Sequence, residues 1–324
     1  MRDGLQRVNG LHHITAIAGP AQQNLDFYVG VMGMRLVKKS VNQDDTGTYH
    51  LFYADAEGHP GTDLTFFPWA RLAPPRVGHG MALEVSLEVP PGSLTYWAER
   101  LERYGTRQER IEERFGERSL PLADPHGLRL ALVESRASAR RFAPWLESDV
   151  PPERQVRGLH GARVWEREAA TSAAFLTGVL GFEAQAAERG WTRYGVAGGA
   201  GVLDVREMPG ERRGAWGVGS VHHLAWRVED EEHQRAVRQQ VEAAGAEATP
   251  VIDRFWFKSV YFREPGGVLF ELATEGPGFT VDEDPAHLGE TLVLPPWLEA
   301  DRAAIERSLP ALTLGAPAGR GRSA

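Results

Sequence analysis

The sequence predicts an α+β protein made of four βαβββ modules in two tandem domains. The first observation behind this prediction is an internal repeat, in which NLDFYVGVMGMRL (24–36) aligns with SAAFLTGVLGFEA (172–184). The second is a repeated turn and strand, because ADPHGLRLALVE (123–134) resembles REPGGVLFELAT (263–274). A repeat of this kind decides the fold class, since each unit is one supersecondary structure.

Each module shows the same order of patterns along the chain. The modules begin near residues 11, 78, 159 and 221, and each opens with an apolar, strand-like run. A helix follows, as the 3–4 spacing of Leu25, Tyr28, Val29 and Met32 indicates. Short strands separated by glycine or proline turns complete the module.

Two modules form a unit of ordinary domain size. We therefore expect a first domain with modules one and two, a linker, a second domain with modules three and four, a C-terminal extension that contains a helix, and a disordered tail. The expected bounds are 1–137, 138–157, 158–280, 281–314 and 315–324. The amphipathic helix of the extension is expected to pack on the last module, with a cover over a pocket mouth as the alternative.

Composition excludes several classes of protein. The net charge of −8 argues against nucleic acid or an anionic membrane as a partner. The absence of cysteine excludes disulfides, thiolate metal sites and cysteine nucleophiles. No apolar run reaches a membrane span, and the N-terminus lacks an apolar signal core, so a cytoplasmic protein is expected. The sequence leaves a homo-oligomer open.

The histidines that open the modules differ in an informative way. The pair is His-His in modules one and four and His-Gly in modules two and three, at 12–13, 222–223, 79–80 and 160–161. The first histidine is present in every module and fits a scaffold role. The second is present in two, and neighbouring residues of a strand point to opposite faces. His13 and His223 are therefore the candidates for a special function.

Glu271 is a third residue that breaks the repeat. It lies in the middle of an apolar strand, where modules one, two and three align Phe66, Ala131 and Val205. A buried carboxylate needs a cation, a proton or a metal. A buried arginine, Arg254 or Arg263, is the alternative partner.

Two imidazoles and one carboxylate form the facial triad of non-haem Fe(II) enzymes. We predict that His13, His223 and Glu271 bind Fe(II), with Mn(II) as the alternative; zinc is also chemically acceptable with these ligands.

Further residues are candidates for the surroundings of the metal. Thr15 shares a strand face with His13, and Arg254 and Tyr261 lie on one aromatic strand. His12 and His222 are read either as proton-transfer groups or as scaffold histidines. The remaining histidines occupy polar or turn contexts and are expected at the surface: His50, His59, His126, His233 and His287.

Five stretches together resemble ring-cleaving dioxygenases of the vicinal oxygen chelate superfamily, which includes glyoxalases and bleomycin-resistance proteins. They are LHHITAIAGPAQQNLDFYVGVMGMRLVKKSVNQDD, HLFYADAEGHPGTDLTFFPW, VHHLAWRVED, DRFWFKSVYFREPGGVLFELATEGPGF and LPPWLEADRAAIERSLP. The most similar group is the hydroquinone 1,2-dioxygenase type, and the resemblance extends from residue 10 to 312.

The resemblance implies roles for individual residues. His13, His223 and Glu271 match the Fe(II) ligands of the family. The residues matching its substrate-side surroundings are His12, Thr15, His222, Arg254 and Tyr261. In this superfamily a metal lies between two facing modules, so modules one and four should form the metal site and modules two and three a metal-free counterpart.

The leading hypothesis is therefore an Fe(II)-dependent extradiol-type dioxygenase that cleaves a hydroquinone or related aromatic diol with O2. A glyoxalase-like lyase or isomerase is one alternative, but it normally uses four protein ligands including two glutamates, and module one lacks the second glutamate. A small-aromatic binding or resistance protein is the other alternative, although such proteins do not need the triad.

Overall fold

The computed structural model describes residues 4–135 and 141–314. The disordered tail predicted at 315–324 lies outside the described residues, as do residues 138–140 at the start of the predicted linker.

All four modules have the predicted βαβββ order. Module one contains β1 (Leu11–Ala18), α1 (Ala21–Leu25), β2 (Arg35–Asn42), β3 (Asp45–Ala54) and β4 (Asp63–Pro68). Module two contains β5 (Met81–Val89), α2 (Leu94–Arg103), β6 (Glu112–Arg114), β7 (Glu117–Ala123) and β8 (Arg129–Glu134). Module three contains β9 (Gly158–Glu166), α3 (Ala169–Gly178), β10 (Phe182–Glu188), β11 (Trp191–Val196) and β12 (Val202–Glu207). Module four contains β13 (Ser220–Val228), α4 (Glu231–Ala243), β14 (Ile252–Asp253), β15 (Lys258–Arg263) and β16 (Leu269–Thr274).

The helices follow from local chemistry. Helix α4 begins where the side chain of Asp230 accepts a hydrogen bond from the backbone N–H of His233, and it buries Val237 and Val241 at helical spacing. Helix α1 continues into a wider π-helical turn, Asp26–Val31. That turn places Tyr28 in the core and leaves Val29 partly exposed.

The strands form two eight-stranded sheets, and each sheet joins one module from each half of the chain. The first sheet has the order β14-β15-β16-β13-β1-β4-β3-β2, which pairs modules one and four. The second has the order β10-β11-β12-β9-β5-β8-β7-β6, which pairs modules two and three. The predicted fold class and the pairing of modules one and four are therefore confirmed. The domain bounds, which group the modules by sequence, stay a prediction.

At the centre of each sheet two strands pair antiparallel, β1 with β13 in the first sheet and β5 with β9 in the second. Their register shows which residues of different modules are equivalent. Thr15 of β1 lies opposite His223 of β13, and Ser86 of β5 lies opposite Gly161 of β9. By this register the residue of module two equivalent to His13 is Glu84. The expectation that Gly80 takes that place is wrong, because the His79-Gly80 pair precedes β5 rather than opening it.

The parallel pairs correct two further alignments. Glu271 lies beside Ala225, two residues after His223. The residues in the same relation are Thr65 in module one, Ala131 in module two and Asp204 in module three. Phe66 and Val205 are therefore each one residue out of register, which moves a side chain to the opposite face of the sheet. Module three has a carboxylate at the Glu271 position after all.

Arginines balance the carboxylates of the second sheet. Arg193 donates two hydrogen bonds to Asp204, at 2.7 and 3.0 Å, and Arg114 forms an ion pair with Glu84. A Cβ atom on Gly161 would lie 2.3 Å from the backbone oxygen of Val202, so no larger side chain fits there. The position of the second metal-binding histidine is thus closed in the second sheet.

Helix α5 (Arg302–Ser308) of the C-terminal extension packs on module one and not on the last module as expected, whereas the residues before it also contact module four through Asp282 and Trp297. The extension also forms three 3-10 turns, Phe279–Val281, Pro285–His287 and Pro296–Asp301. Ile305 of α5 packs against Val41 of β2, and Tyr49 of β3 donates to the backbone oxygen of Pro310. The edge strand β2 is covered in this way. Within the described ranges, no helix is long and apolar enough to span a membrane.

Candidate metal centre

Three predicted residues lie together at the middle of the first sheet. His13 on β1, His223 on β13 and Glu271 on β16 place their ligand atoms within 4.8 Å of one another. His13 Nε2 lies 3.2 Å from His223 Nε2. Glu271 Oε2 lies 3.3 Å from His13 Nε2 and 2.9 Å from His223 Nε2. All three side chains are buried. Strand pairing thus joins residues that are far apart in the sequence.

The tautomer of His13 follows from its hydrogen bonds. His12 Nε2 lies 3.1 Å from the backbone oxygen of Thr274, which only accepts, so this nitrogen carries a proton. Burial, and then His13, lower the pKa of His12 to about 3, so the ring is neutral and its Nδ1 is an acceptor. His13 Nδ1, 2.9 Å away, therefore donates to it. The lone pair of His13 is on Nε2 and points at His223 and Glu271.

The second histidine pair repeats this contact. His222 Nδ1 lies 2.8 Å from His223 Nδ1. Burial, and then His223, lower the pKa of His222 to about 3, and burial lowers that of His223 as well. Burial alone would raise the pKa of Glu271, but positive charge at the adjacent imidazoles of His13 and His223 holds it well below its usual range. A bound metal ion supplies that positive charge in place of protons, because it requires imidazoles with free lone pairs and an ionised carboxylate.

The donor set fits a metal ion because one of its atoms has no other partner. Glu271 Oε1 accepts a hydrogen bond from Ser259 Oγ at 2.5 Å, whereas the buried Oε2 accepts none. An unpaired carboxylate oxygen beside imidazole nitrogens is costly unless a cation lies between them. Separations of 2.9 to 3.3 Å allow one ion at about 2.1 Å to contact all three atoms. A fourth protein donor is missing in module one, where Thr65 occupies the position of Glu271.

A cavity of about 330 Å³ opens beside His13 and His223, which line it, whereas Glu271 lies behind them and does not. Aromatic side chains form much of its wall: Phe52, Phe67, Trp69, Trp256, Phe257 and Tyr261. His13, His50, His222 and His223 add nitrogen atoms to the wall, and the turn 42–45 lies at its edge. The size and lining suit a single substituted ring. A larger cavity of about 1020 Å³ is lined by none of the three candidate ligands.

The structure brings Arg254 and Tyr261 to this cavity, as the sequence predicts. The guanidinium of Arg254 lies 5.6 Å from the centre of the Tyr261 ring. Although burial opposes its charge, a hydrogen bond to Asp44 raises the pKa of Arg254. Burial, and then Glu271, raise the pKa of Tyr261, whose hydroxyl is therefore a proton donor at neutral pH. His223 stacks edge-on against the same tyrosine ring at 5.6 Å.

The other predicted residues take different positions. His222 lines the cavity among Trp69 and Trp216, whereas His12 lies behind His13 and does not line it. Thr15 does not line it either; its hydroxyl lies 2.8 Å from that of Thr65. Both side chains support the cavity from outside.

His50 is a cavity residue that sequence reasoning missed. Its Nε2 lies 2.9 Å from Thr65 Oγ1, and its ring packs on Phe52 and Phe67 at 3.9 and 4.5 Å. The prediction of a surface histidine is wrong because β3 turns this residue inward. The strand register of the structure makes His50 the counterpart of Ser259, which donates a hydrogen bond to Glu271. The sequence alone carries no signal for this position, because the register is not visible in it.

Comparison with known proteins places this geometry in a family. The sequence model of the Glyoxalase/Bleomycin resistance protein/Dioxygenase superfamily matches residues 10–132 and 158–272. The Bacillus subtilis protein named "Putative ring-cleaving dioxygenase MhqO" is 42% identical over 94% of this chain and 96% of its own. This chain belongs to that superfamily.

Further relatives agree with the assignment. The Sphingobium indicum "Chlorohydroquinone/hydroquinone 1,2-dioxygenase" is 35% identical over 94% of this chain and 97% of its own. The crystal structure of a Bacillus subtilis protein, 40% identical, superposes with a TM-score of 0.89 over 96% of this chain and 99% of its own. Glyoxalase I from Zea mays shares the fold, with a TM-score of 0.60 at 14% identity over 82% of this chain and 92% of its own. The family resemblance and the prediction of an oxygenase enzyme are confirmed.

Proposed function

We propose that the protein is an Fe(II)-dependent, extradiol-type ring-cleaving dioxygenase that acts on a hydroquinone or a related aromatic diol with O2. One observation carries the proposal: two imidazole lone pairs and an unpaired carboxylate oxygen meet at the edge of an aromatic cavity. The names of the relatives give the same reaction class and, for one of them, the hydroquinone substrate.

His13, His223 and Glu271 would hold the metal. When bound, the ion supplies a template that brings ring and O2 side by side. The absence of sulfur donors suits Fe(II), with Mn(II) as the alternative. His12 fixes the tautomer of His13 and so keeps its Nε2 lone pair available.

The remaining residues bind and orient the ring. Phe52, Phe67 and Phe257 exclude water from its faces. Tyr261 and Arg254 place a hydroxyl and a guanidinium where a ring oxygen gains negative charge. His222 lines the same wall, and its lowered pKa keeps the imidazole neutral, so that it can hydrogen-bond a ring hydroxyl.

Two alternatives are less well supported. Glyoxalase-like chemistry with two glutamates lacks its second carboxylate, since Thr65 occupies that position. A protein that only binds aromatic compounds has no need for Glu271, which is buried and ionised at a cost. A cytoplasmic location and a homo-oligomer stay predictions, and so does the absence of a nucleic-acid partner.

The test is oxygen uptake by protein loaded anaerobically with Fe(II), across a panel of substituted hydroquinones and catechols. We expect one O2 consumed per ring opened and about one metal ion per chain. His223→Ala should lose both metal and activity, whereas His287→Ala, which changes an exposed histidine, should lose neither. Full activity of the His223→Ala variant would refute the metal assignment.

A further inference from the structure

The surface residue Asp44 forms an ion pair with Arg254, whose guanidinium lies at the cavity. Asp44 lies in the turn between β2 and β3 of module one, and Arg254 lies between β14 and β15 of module four. The two Nη atoms of Arg254 contact the two carboxylate oxygens of Asp44 at 3.2 and 2.8 Å. This is the two-pronged geometry in which arginine binds carboxylates best.

The contact is held in place from several sides. Asn42 Oδ1 accepts a hydrogen bond from the backbone N–H of Asp44, and Gln43 Nε2 donates to the backbone oxygen of Arg254. Asp45, the next residue of the turn, instead accepts from Trp69 and Thr48. The turn is thus fixed to both walls of the cavity.

Exposure differs sharply between the two partners. The side chain of Asp44 is 73% exposed and that of Arg254 is 15% exposed. Among the described residues that line the cavity, Arg254 is the single lysine or arginine. A free arginine in an aromatic cavity is a receptor for a carboxylate on the ring. Here the edge of the guanidinium that would bind it is already taken.

We propose that Asp44 is a specificity-determining residue that makes the cavity reject carboxylated rings in favour of uncharged ones. It does so by competing for Arg254 and by placing a negative charge where a ring carboxylate would lie. A specificity filter of this kind acts by repulsion as well as by attraction. The inference rests on the proposed function for the choice of ring, but it concerns binding rather than turnover.

The test compares two rings that differ by one carboxylate, hydroquinone and 2,5-dihydroxybenzoate. Their affinities are measured by isothermal titration calorimetry without oxygen, on the protein as purified. The wild-type protein should favour hydroquinone. Asp44→Asn should raise the affinity for 2,5-dihydroxybenzoate on the order of tenfold, the scale of one charge-assisted hydrogen bond, and change that for hydroquinone less than about twofold.

Two further variants identify the cause. Asp45→Asn removes one negative charge beside Asp44 but leaves the contact of Asp44 with Arg254 intact. Its affinity for 2,5-dihydroxybenzoate should therefore rise less than about twofold. In Asp44→Asn/Arg254→Gln the gain should disappear. Three outcomes would each overturn the proposal. They are an unchanged affinity of Asp44→Asn for 2,5-dihydroxybenzoate, an equal rise in affinity in Asp45→Asn, and a rise that remains in Asp44→Asn/Arg254→Gln. Since no turnover is measured, a failed oxygen-uptake assay leaves this comparison intact.

Discussion

Replacing Lys38 by methionine should destabilise the protein strongly. The side chain of Lys38 is fully buried, and its Nζ donates to the backbone oxygen of Phe279 at 3.0 Å and to Asp282 Oδ1 at 2.7 Å. It also pairs with Glu283, whose side chain is 6% exposed. Removing one partner of a buried ion pair leaves the other charge unpaired, at a cost of about 3–5 kcal/mol. Because Asp282 retains 18% exposure and can reach water, we expect about 3 kcal/mol.

The change should also reach the cavity, because Trp256 lines it and its Nε1 donates to Asp282. The free energy of unfolding is measured by urea titration, and ring affinity by calorimetry. Lys39→Met is the matched control, since Lys39 is half-buried and bonds a single backbone oxygen, and it should cost less than about 1 kcal/mol.

A triple variant separates the unpaired charge from lost packing. Lys38→Met/Asp282→Asn/Glu283→Gln should recover stability to within about 1 kcal/mol of the wild type, because no buried charge is left unpaired. A cost below about 1 kcal/mol for Lys38→Met, or a triple variant as unstable as the single one, would refute this reasoning.

Three further predictions concern other parts of the molecule. Burial raises the pKa of Glu166 to about 9 in the folded state. Between the ordinary carboxyl pKa and that value, the folded protein keeps a proton that the unfolded chain has lost. The free energy of unfolding therefore falls as the pH rises through this range. Glu166→Gln should therefore be more stable than the wild type at pH 8 and equal to it near pH 4 in urea titrations. His12→Phe should weaken metal binding by about 10–100-fold in chelator competition, since His13 loses its acceptor; unchanged affinity would count against the assigned tautomer. Gly161→His should lower the melting temperature without adding a second metal ion per chain, because its Cβ would lie 2.3 Å from Val202 O, and two ions per chain would contradict the argument.

The sequence predicts the modules, and it predicts that His13, His223 and Glu271 lie together, as the structure shows. Apolar periodicity and glycine turns repeat with the module, and the second histidine appears only in modules one and four. The carboxylate of Glu271 is less distinctive, because the strand register places Asp204 at its position in module three. The four modules of one chain thus serve as references for one another.

Register explains what sequence reasoning missed. Short strands can be aligned one residue out of register without any mismatch that the sequence reveals. Val205 therefore aligns with Glu271 in the sequence, although Asp204 is its counterpart in the structure. His50 looks polar in context, and its inward direction depends on the pairing of β3 with β4. The ion pair of Asp44 with Arg254 joins two turns whose distance in sequence gives no hint of contact.

The pairing of outer modules with each other has a consequence for the order of assembly. Modules two and three are neighbours in the sequence and can pair as soon as both have left the ribosome. Strand β1 must wait for β13, which follows some two hundred residues later, so its edge stays open during most of synthesis. The metal centre can thus form only after β16 has been made, and a chain truncated before β16 lacks one of the three donors.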